Sequence, residues 1–199
     1  MEASAAHLEI EPEPREWQPR ATWVAARLLC GAAAFFFAAF VFAYFYLRSL
    51  NSNHAWKIGH VSAPVGFGVA IVLVLVASAV LMYIARTQPA RMTAAGTAAV
   101  LLALLSVVLQ VIAWTTLGFG PSSGGYASVF IGWTAFYAVW TIPCIYWMQT
   151  QVATSRRVAR TKPPEADPEL MRAETEACSF FWTFYVAIGV LTFVILYVL

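Results

Sequence analysis

Long apolar runs separated by short polar segments dominate the pattern of this 199-residue chain. A hydrocarbon core of about 30 Å requires about 20 apolar residues of α-helix, and five runs are that long. We predict membrane helices over 22–47, 63–86, 93–117, 127–150 and 168–199, the last entering the membrane from about 176. The remaining residues, 1–21, form an acidic tail that contains proline, and 22–199 form one membrane domain.

The distribution of charge agrees with a membrane protein. No acidic residue occurs between Glu16 and Glu165, and the chain is 61% hydrophobic but only 11% charged. Soluble domains contain about 25% charged residues, because their surfaces must be solvated. The net charge of +2 gives no indication of nucleic-acid binding.

The basic residues are unevenly divided between the two sides of the predicted membrane domain. Nine of the 12 lie on the side of the N-terminus, with Arg27 just inside the first helix, and only Arg48 and Lys57 lie on the other side. Short loops rich in Lys and Arg stay in the cytoplasm. The fold class that we predict is therefore all-α, a five-helix membrane bundle with its N-terminus cytoplasmic and its C-terminus outside.

Two local patterns predict how the helices begin and pack. Ser128, Gly132 and Ala135 are spaced i, i+4 and i+7 on helix four, so these small residues share one face that allows close approach of another helix. Asp167 followed by Pro168 is typical of an N-cap and first residue, and predicts the start of helix five.

The residue types that carry chemistry are few. None of the three histidines (His7, His54 and His60) lies in a predicted span, which argues against a haem held between helices by two histidines. The three cysteines have no metal-ligand spacing, and we interpret them as packing residues. With no clustered acid, base, nucleophile or metal ligands, catalysis by this chain alone is not expected.

Four segments resemble one family, the short five-helix form of haem–copper oxidase subunit III. Helix four contains YASVF at Tyr126–Phe130 and then Gly132, similar to the family's YxSVF and glycine. Helix one ends in AYFYLR at Ala43–Arg48, similar to the family's AYFxxR. Helix three matches a glutamine, aromatic and leucine pattern within Gln110–Leu117, and helix five matches from Glu176 onwards.

The departures from the family pattern all remove ionisable side chains. Tyr137 and Trp140 stand where the family has two histidines, and Thr183 and Val186 stand where it has a histidine and an aspartate. Two further family glutamates align with Ala113 and, near helix one's small stretch, with Ala33, while Glu176 is retained. We therefore expect the shape and docking of subunit III with its polar interior erased.

The resemblance implies a non-catalytic component of a respiratory terminal oxidase in the plasma membrane of a bacterium. Its expected partners are oxidase subunits I and II and lipid, with no nucleic acid. Haem and copper are expected in the partner catalytic subunit and none in this chain. The candidate contacts with lipid or partner are Arg48, Ser128, Gly132, Tyr137, Trp140, Glu176 and Trp182, within or beside aromatic surfaces such as Phe180–Tyr185.

Two alternatives remain open. One is an accessory subunit of another membrane redox complex, such as a nitric oxide reductase, which the missing ionisable residues favour. The other is a small homo-oligomeric permease or lipid-binding protein. A permease needs polar groups along a path through the membrane, and the interior threonines and Gln110 supply few.

Overall fold

The computed structural model describes residues 14–51, 54–59, 61–162 and 167–199. Regular structure within these residues is entirely helical: α1 (Gln18–Ser49), α2 (Val65–Thr87), α3 (Met92–Thr115), α4 (Gly125–Thr161) and α5 (Pro168–Phe193), continued by a π-helical turn, Val194–Val198. All five helices are long and apolar enough to cross a membrane, which confirms the predicted number and kind of elements. Most of the predicted tail, with His7, lies outside the described residues, as does His60.

Two helices differ in length from the sequence-based bounds. α1 begins at Gln18 rather than near 22, with Pro19 in its first turn. α4 continues beyond 150 to Thr161 and ends where Lys162 adopts a left-handed φ of 42°. The predictions followed the apolar stretch, whereas polar residues with good helix propensity extend a helix past the hydrocarbon.

The start of α5 agrees with the prediction. The Asp167 carboxylate accepts hydrogen bonds from the backbone N–H groups of Glu169 and Leu170 at 3.0 and 3.1 Å. Pro168 occupies the first turn, where its missing N–H costs nothing. The cap therefore fixes where the chain enters its last helix.

The five helices form a closed ring in the order α1, α5, α2, α3, α4, and α4 and α5 also touch across the ring. Because successive helices run in opposite directions, one end of the bundle contains the N-terminus of α1, the α2–α3 turn and the α4–α5 connection. We call this the basic end, since Arg20, Arg86, Arg91, Arg156 and Arg172 lie there. The opposite end contains the loops that follow α1 and α3.

The helices differ in how much of their surface the bundle buries. α5 has 11 buried residues among 26, whereas α1 has only five among 32. α5 is thus the helix with the largest share of buried residues, and α1 leaves most of its apolar surface facing outward.

A pair of tyrosines joins α4 to α5 in the middle of the core. The Tyr185 hydroxyl donates to the Tyr137 carbonyl oxygen at 2.6 Å, and the Tyr137 hydroxyl donates to the Tyr185 carbonyl oxygen at 3.1 Å. Their rings stack with centroids 4.5 Å apart, and Thr141 Oγ1 lies 3.2 Å from the Tyr185 hydroxyl. We call this pair the tyrosine clasp.

A second hydrogen-bonded link connects three helices. Trp182 Nε1 on α5 donates to Ser78 Oγ on α2 at 3.1 Å, and Ser78 Oγ donates to the Ala99 carbonyl oxygen on α3 at 2.7 Å. With the tyrosine clasp, this link corrects the expectation that the polar interior is erased. The buried polar residues of the described chain are uncharged, and Ser78 and Thr134 among them bond one helix to another.

At the opposite end, the loop after α1 folds onto the start of α4. The carbonyl oxygens of Ala55 and Trp56 accept hydrogen bonds from the N–H groups of Gly125 and Tyr126 at 3.0 and 2.9 Å. Gly124 has a φ of 111°, and a side chain there would meet those same carbonyl oxygens at 2.9 Å. Glycine is required at this position because the loop itself caps the helix.

Candidate functional site

Five of the seven candidate contact residues reach the surface of the chain. Arg48, Ser128 and Gly132 are exposed, and Trp140 and Glu176 are half-buried. They do not form one cluster, because Arg48 lies at the opposite end, Glu176 at the basic end and the other three along α4.

The other two candidates, Tyr137 and Trp182, lie inside the bundle, with exposed fractions of 9% and 1%. Phe181 and Tyr185 on α5 are buried as well, whereas Phe180 is exposed. The expectation that these aromatic residues form a docking or lipid surface is therefore wrong for all of them except Phe180 and the half-buried Phe184. The aromatic side chains of Phe181, Trp182 and Tyr185 fill the space between α5 and the neighbouring helices.

Two neighbouring stripes on α1 and α4 form an outward surface that includes the candidate residue Gly132. On both helices the residues are spaced i, i+4, i+7 and i+11, which places each set on one side of its helix. We call this surface the α1/α4 face; it comprises Ala32, Phe36, Ala39, Ala43, Gly132, Phe136, Val139 and Pro143.

Ring contacts show that the two stripes border each other. The ring centroid of Phe36 lies 5.8 Å from that of Phe136 and 6.4 Å from that of Trp140. Phe36 is still 50% exposed, so its other side faces away from the chain. The α1/α4 face therefore has an aromatic centre flanked by small residues.

Gly132 is the lowest point on the α4 stripe. A Cβ atom added there would meet no atom within 4 Å among the described residues. Ser128, one turn earlier, has its hydroxyl engaged with the Pro121 and Gly124 carbonyl oxygens at 2.5 and 3.3 Å. Gly132 thus offers a close approach, and Ser128 beside it has its hydroxyl satisfied. Of the predicted set Ser128, Gly132 and Ala135, only Gly132 belongs to the α1/α4 face; Ser128 is exposed one turn before it and Ala135 is half-buried. The matching stripe on α1 has the same spacing and could have been found in the sequence.

Arg48 holds two helix ends together within the chain. One of its terminal nitrogens donates to the Tyr44 hydroxyl at 3.3 Å and to the Leu199 backbone oxygen at 3.1 Å. Its guanidinium also lies 5.9 Å from the centre of the Tyr44 ring. These contacts give Arg48 a role in packing α1 against the end of α5.

Glu176 lies in a hollow of about 520 Å³ between the first turns of α1 and α5. Its carboxylate accepts a hydrogen bond from Arg172 Nε at 3.0 Å, and Arg20, Trp23 and Arg27 line the same hollow. The Arg172 side chain is 81% exposed, and such pairs contribute little to stability. Glu176 belongs to the charged border of the bundle rather than to its core.

The described residues contain no group of three or more His, Cys, Asp or Glu side chains arranged to hold a metal ion. Cys30, Cys144 and Cys178 are free and buried in α1, α4 and α5. His54 is exposed in the loop that caps α4.

Comparisons with known proteins add no assignment to this geometry. No family model matches the chain, and no curated protein shows significant similarity to it.

Proposed function

We propose that this chain is a non-catalytic subunit of a membrane redox complex, of the type represented by subunit III of haem–copper terminal oxidases. In that role it stabilises the catalytic subunit and binds lipid during aerobic electron transport. The observation that carries the proposal is the register of the four resembling segments on four of the five helices.

The residues that carry the resemblance serve as joints between helices, which supports a common scaffold. The Tyr126 hydroxyl donates to the Leu196 carbonyl oxygen at 2.6 Å and joins α4 to the end of α5. Trp114 Nε1 donates to Thr134 Oγ1 at 3.0 Å and joins α3 to α4. Tyr44, beside Arg48, is buried at the end of α1.

The positions that depart from the family pattern now serve local packing. Tyr137 belongs to the tyrosine clasp, and Thr183 Oγ1 donates to the Ser179 carbonyl oxygen at 2.8 Å within its own helix. Val186 is buried among apolar side chains. These residues supply neither a carboxylate nor an imidazole, so the proposed role is docking and stabilisation rather than proton transfer.

The α1/α4 face is the proposed contact with the catalytic subunit. Membrane helices associate through close packing of small residues, because lipid removes the hydrophobic drive between them. Around the exposed ring of Phe36, the face provides three alanines on α1 and Gly132 on α4. Subunits I and II are the proposed partners, with haem and copper held by the catalytic subunit, in a bacterial plasma membrane with the basic end cytoplasmic.

The test is purification of a tagged chain in a mild detergent, followed by an absorption spectrum and identification of the proteins that accompany it. We expect a haem-coloured complex with a large catalytic subunit. A colourless, homo-oligomeric preparation would overturn the proposal and favour a permease or a lipid-binding protein.

Gly132→Leu tests the docking surface within the same experiment. The added side chain projects from the α1/α4 face into open space, so the chain should fold while losing most of its haem-containing partner. Gly66→Leu is the matched control, because Gly66 is exposed on α2 and also has no neighbour within 4 Å. Cys144→Ala, a buried change, should keep the partner too. Equal recovery of haem with all three variants would place the contact elsewhere.

An accessory role in another redox complex, such as a nitric oxide reductase, is the second candidate. It is favoured by the uncharged interior, since the described buried polar residues are only Ser, Thr and Gln. The haem types in the purified complex distinguish the two candidates.

A further inference from the structure

A cavity of about 370 Å³ opens at the basic end, away from the α1/α4 face. Its walls come from the end of α2, the turn into α3, the last part of α4 and the first turns of α5. The lining residues are Ala85, Arg86, Pro89, Met92, Gln151, Thr154, Ser155, Val158, Pro168, Met171, Arg172 and Thr175. Its volume is that of a small-molecule site, and four segments of the fold shape it.

Gln151 is the most deeply buried polar residue of the described lining. Only 8% of the residue is exposed, it lines the cavity, and its side-chain amide has no hydrogen-bond partner among the described residues. The fully buried side-chain N and O atoms that lack a partner in the described chain belong to Gln110, Trp133 and Ser179, so the amide of Gln151 is not sealed inside the core. The amide therefore has hydrogen-bonding capacity to offer a ligand in the cavity.

The charges of the lining favour an anion. Arg86 and Arg172 are the charged residues of the lining within the described part of the chain, and no carboxylate occurs among those described lining residues. Arg172 uses Nε to bind Glu176, which leaves its terminal nitrogens outside that bond. Arg86 makes no ion pair with any described residue, and its guanidinium lies 5.5 Å from the Tyr83 ring. The nearby Asp167 carboxylate is occupied by the N-cap of α5.

The other walls of the cavity are apolar, which argues for a ligand with a hydrocarbon part. Met92, Val158 and Met171 face it, and Arg86 stands where the apolar α2 span ends. Basic pockets between membrane helices near the cytoplasmic surface suit the phosphate of an anionic lipid. The apolar walls suit the start of its acyl chains.

The geometry points to a binding site for one anionic glycerophospholipid, with its phosphate at Arg86, Arg172 and Gln151. This inference deepens the lipid-binding part of the proposed function and rests on it, but it does not depend on the redox partner. Residues of both the α2–α3 pair and the α4–α5 pair line the site. A bound lipid would therefore hold the two helix pairs together at the basic end.

The test uses the full chain, purified alone in a neutral detergent, with its thermal unfolding followed during titration. Phosphatidylglycerol should raise the unfolding temperature, whereas phosphatidylcholine with the same acyl chains and inorganic phosphate should not. Arg86→Gln and Gln151→Leu should each weaken the effect of phosphatidylglycerol about tenfold, as expected for the loss of one hydrogen bond to a charged group. Arg86→Lys should retain most of it.

Two matched controls lie close by. Arg91→Gln removes an exposed arginine from the same turn, and Gln149→Leu changes an exposed glutamine on the same helix; neither residue lines the cavity. Both should bind phosphatidylglycerol like the unchanged chain. Equal stabilisation by the two lipids, or unchanged affinity in Arg86→Gln and Gln151→Leu, would overturn the site.

Stabilisation by inorganic phosphate alone would also overturn the inference, since it would identify a free-anion site. If Gln151→Leu fails to fold, Arg86→Gln against Arg91→Gln decides the result, because Arg86 is only half-buried. The measurement needs no haem protein, so its failure leaves the accessory-subunit proposal standing. A colourless chain that binds phosphatidylglycerol would reject only the redox partner.

Discussion

Tyr137 and Tyr185 illustrate how single residues hold this bundle together without charge. Each hydroxyl bonds to the backbone of the facing helix, so two polar groups are buried with their hydrogen-bonding needs met. The sequence identifies Tyr137 as a substituted position and as a candidate contact with lipid or partner, and nothing in the spacing of Tyr185 indicates a partner 48 residues away. The pairing depends on how α4 crosses α5, which is a property of the folded ring.

Tyr185→Phe should lower the free energy of unfolding by about 1 kcal/mol, because it removes one buried hydrogen bond and keeps the ring. The Tyr137 carbonyl oxygen still accepts a hydrogen bond from Thr141 Oγ1 at 2.8 Å, so this acceptor keeps a donor in the variant. Unfolding in mixed detergent, followed by tryptophan fluorescence, measures the change. Tyr83→Phe is the control, since Tyr83 is 54% exposed. A loss of stability that is equal in both variants would mean that the clasp contributes nothing specific.

At the scale of the helices, the sequence predicts well which segments are helical and how many there are. It predicts poorly which face of each helix is buried. The apolar length of each run and the Asp167 cap mark five helices, and these are present. The sequence predicts a surface position for Trp182, whereas the structure buries it, with its Nε1 donating to Ser78 Oγ. In a membrane helix the buried and lipid-facing sides are both apolar, so the amphipathic pattern that marks a core face in soluble proteins is weak. Residue size, unlike hydropathy, distinguishes the predicted small set Ser128, Gly132 and Ala135, and Gly132 of that set lies on the outward face of α4.

Two glycines test which helix faces are closely packed. A Cβ at Gly189 on α5 would overlap the Tyr137 hydroxyl and approach Leu75 Cδ1 to 3.3 Å, and the hydroxyl cannot yield without breaking the clasp. Gly189→Ala should therefore destabilise the chain by about 1–3 kcal/mol. Gly132→Ala, on an open face, should be neutral or stabilising by up to about 1 kcal/mol through helix propensity.

The same detergent unfolding measurement compares Gly189→Ala with Gly132→Ala. A Gly189→Ala variant as stable as the unchanged chain would show that α5 sits farther from α4 and α2 than the structure has it. Destabilisation by Gly132→Ala would show that the outward face of α4 is already covered within the chain.

At the scale of the whole molecule, the ring separates three surfaces that serve different proposed roles. The α1/α4 face lies along the membrane, the lipid cavity lies at the basic end, and the loop bearing Trp56 closes the opposite end. α1 buries the smallest share of its residues among the five helices, five of 32, so much of its apolar surface faces outward. A partner seated on α1 would leave the basic cavity open to lipid, so the two proposed contacts are compatible.

The orientation of this ring in the membrane is the last prediction. Nine basic residues lie on the side of the N-terminus, and such residues in short segments remain cytoplasmic. Ser122→Cys, exposed in the loop before α4, should react with a membrane-impermeant maleimide added to intact spheroplasts. Thr161→Cys, exposed at the end of α4, should react only after the membrane is permeabilised. The unchanged chain serves as the blank, because its three cysteines are buried and should stay unlabelled. The reverse pattern would place the basic end outside, where its cavity would meet the outer leaflet instead of the cytoplasmic one.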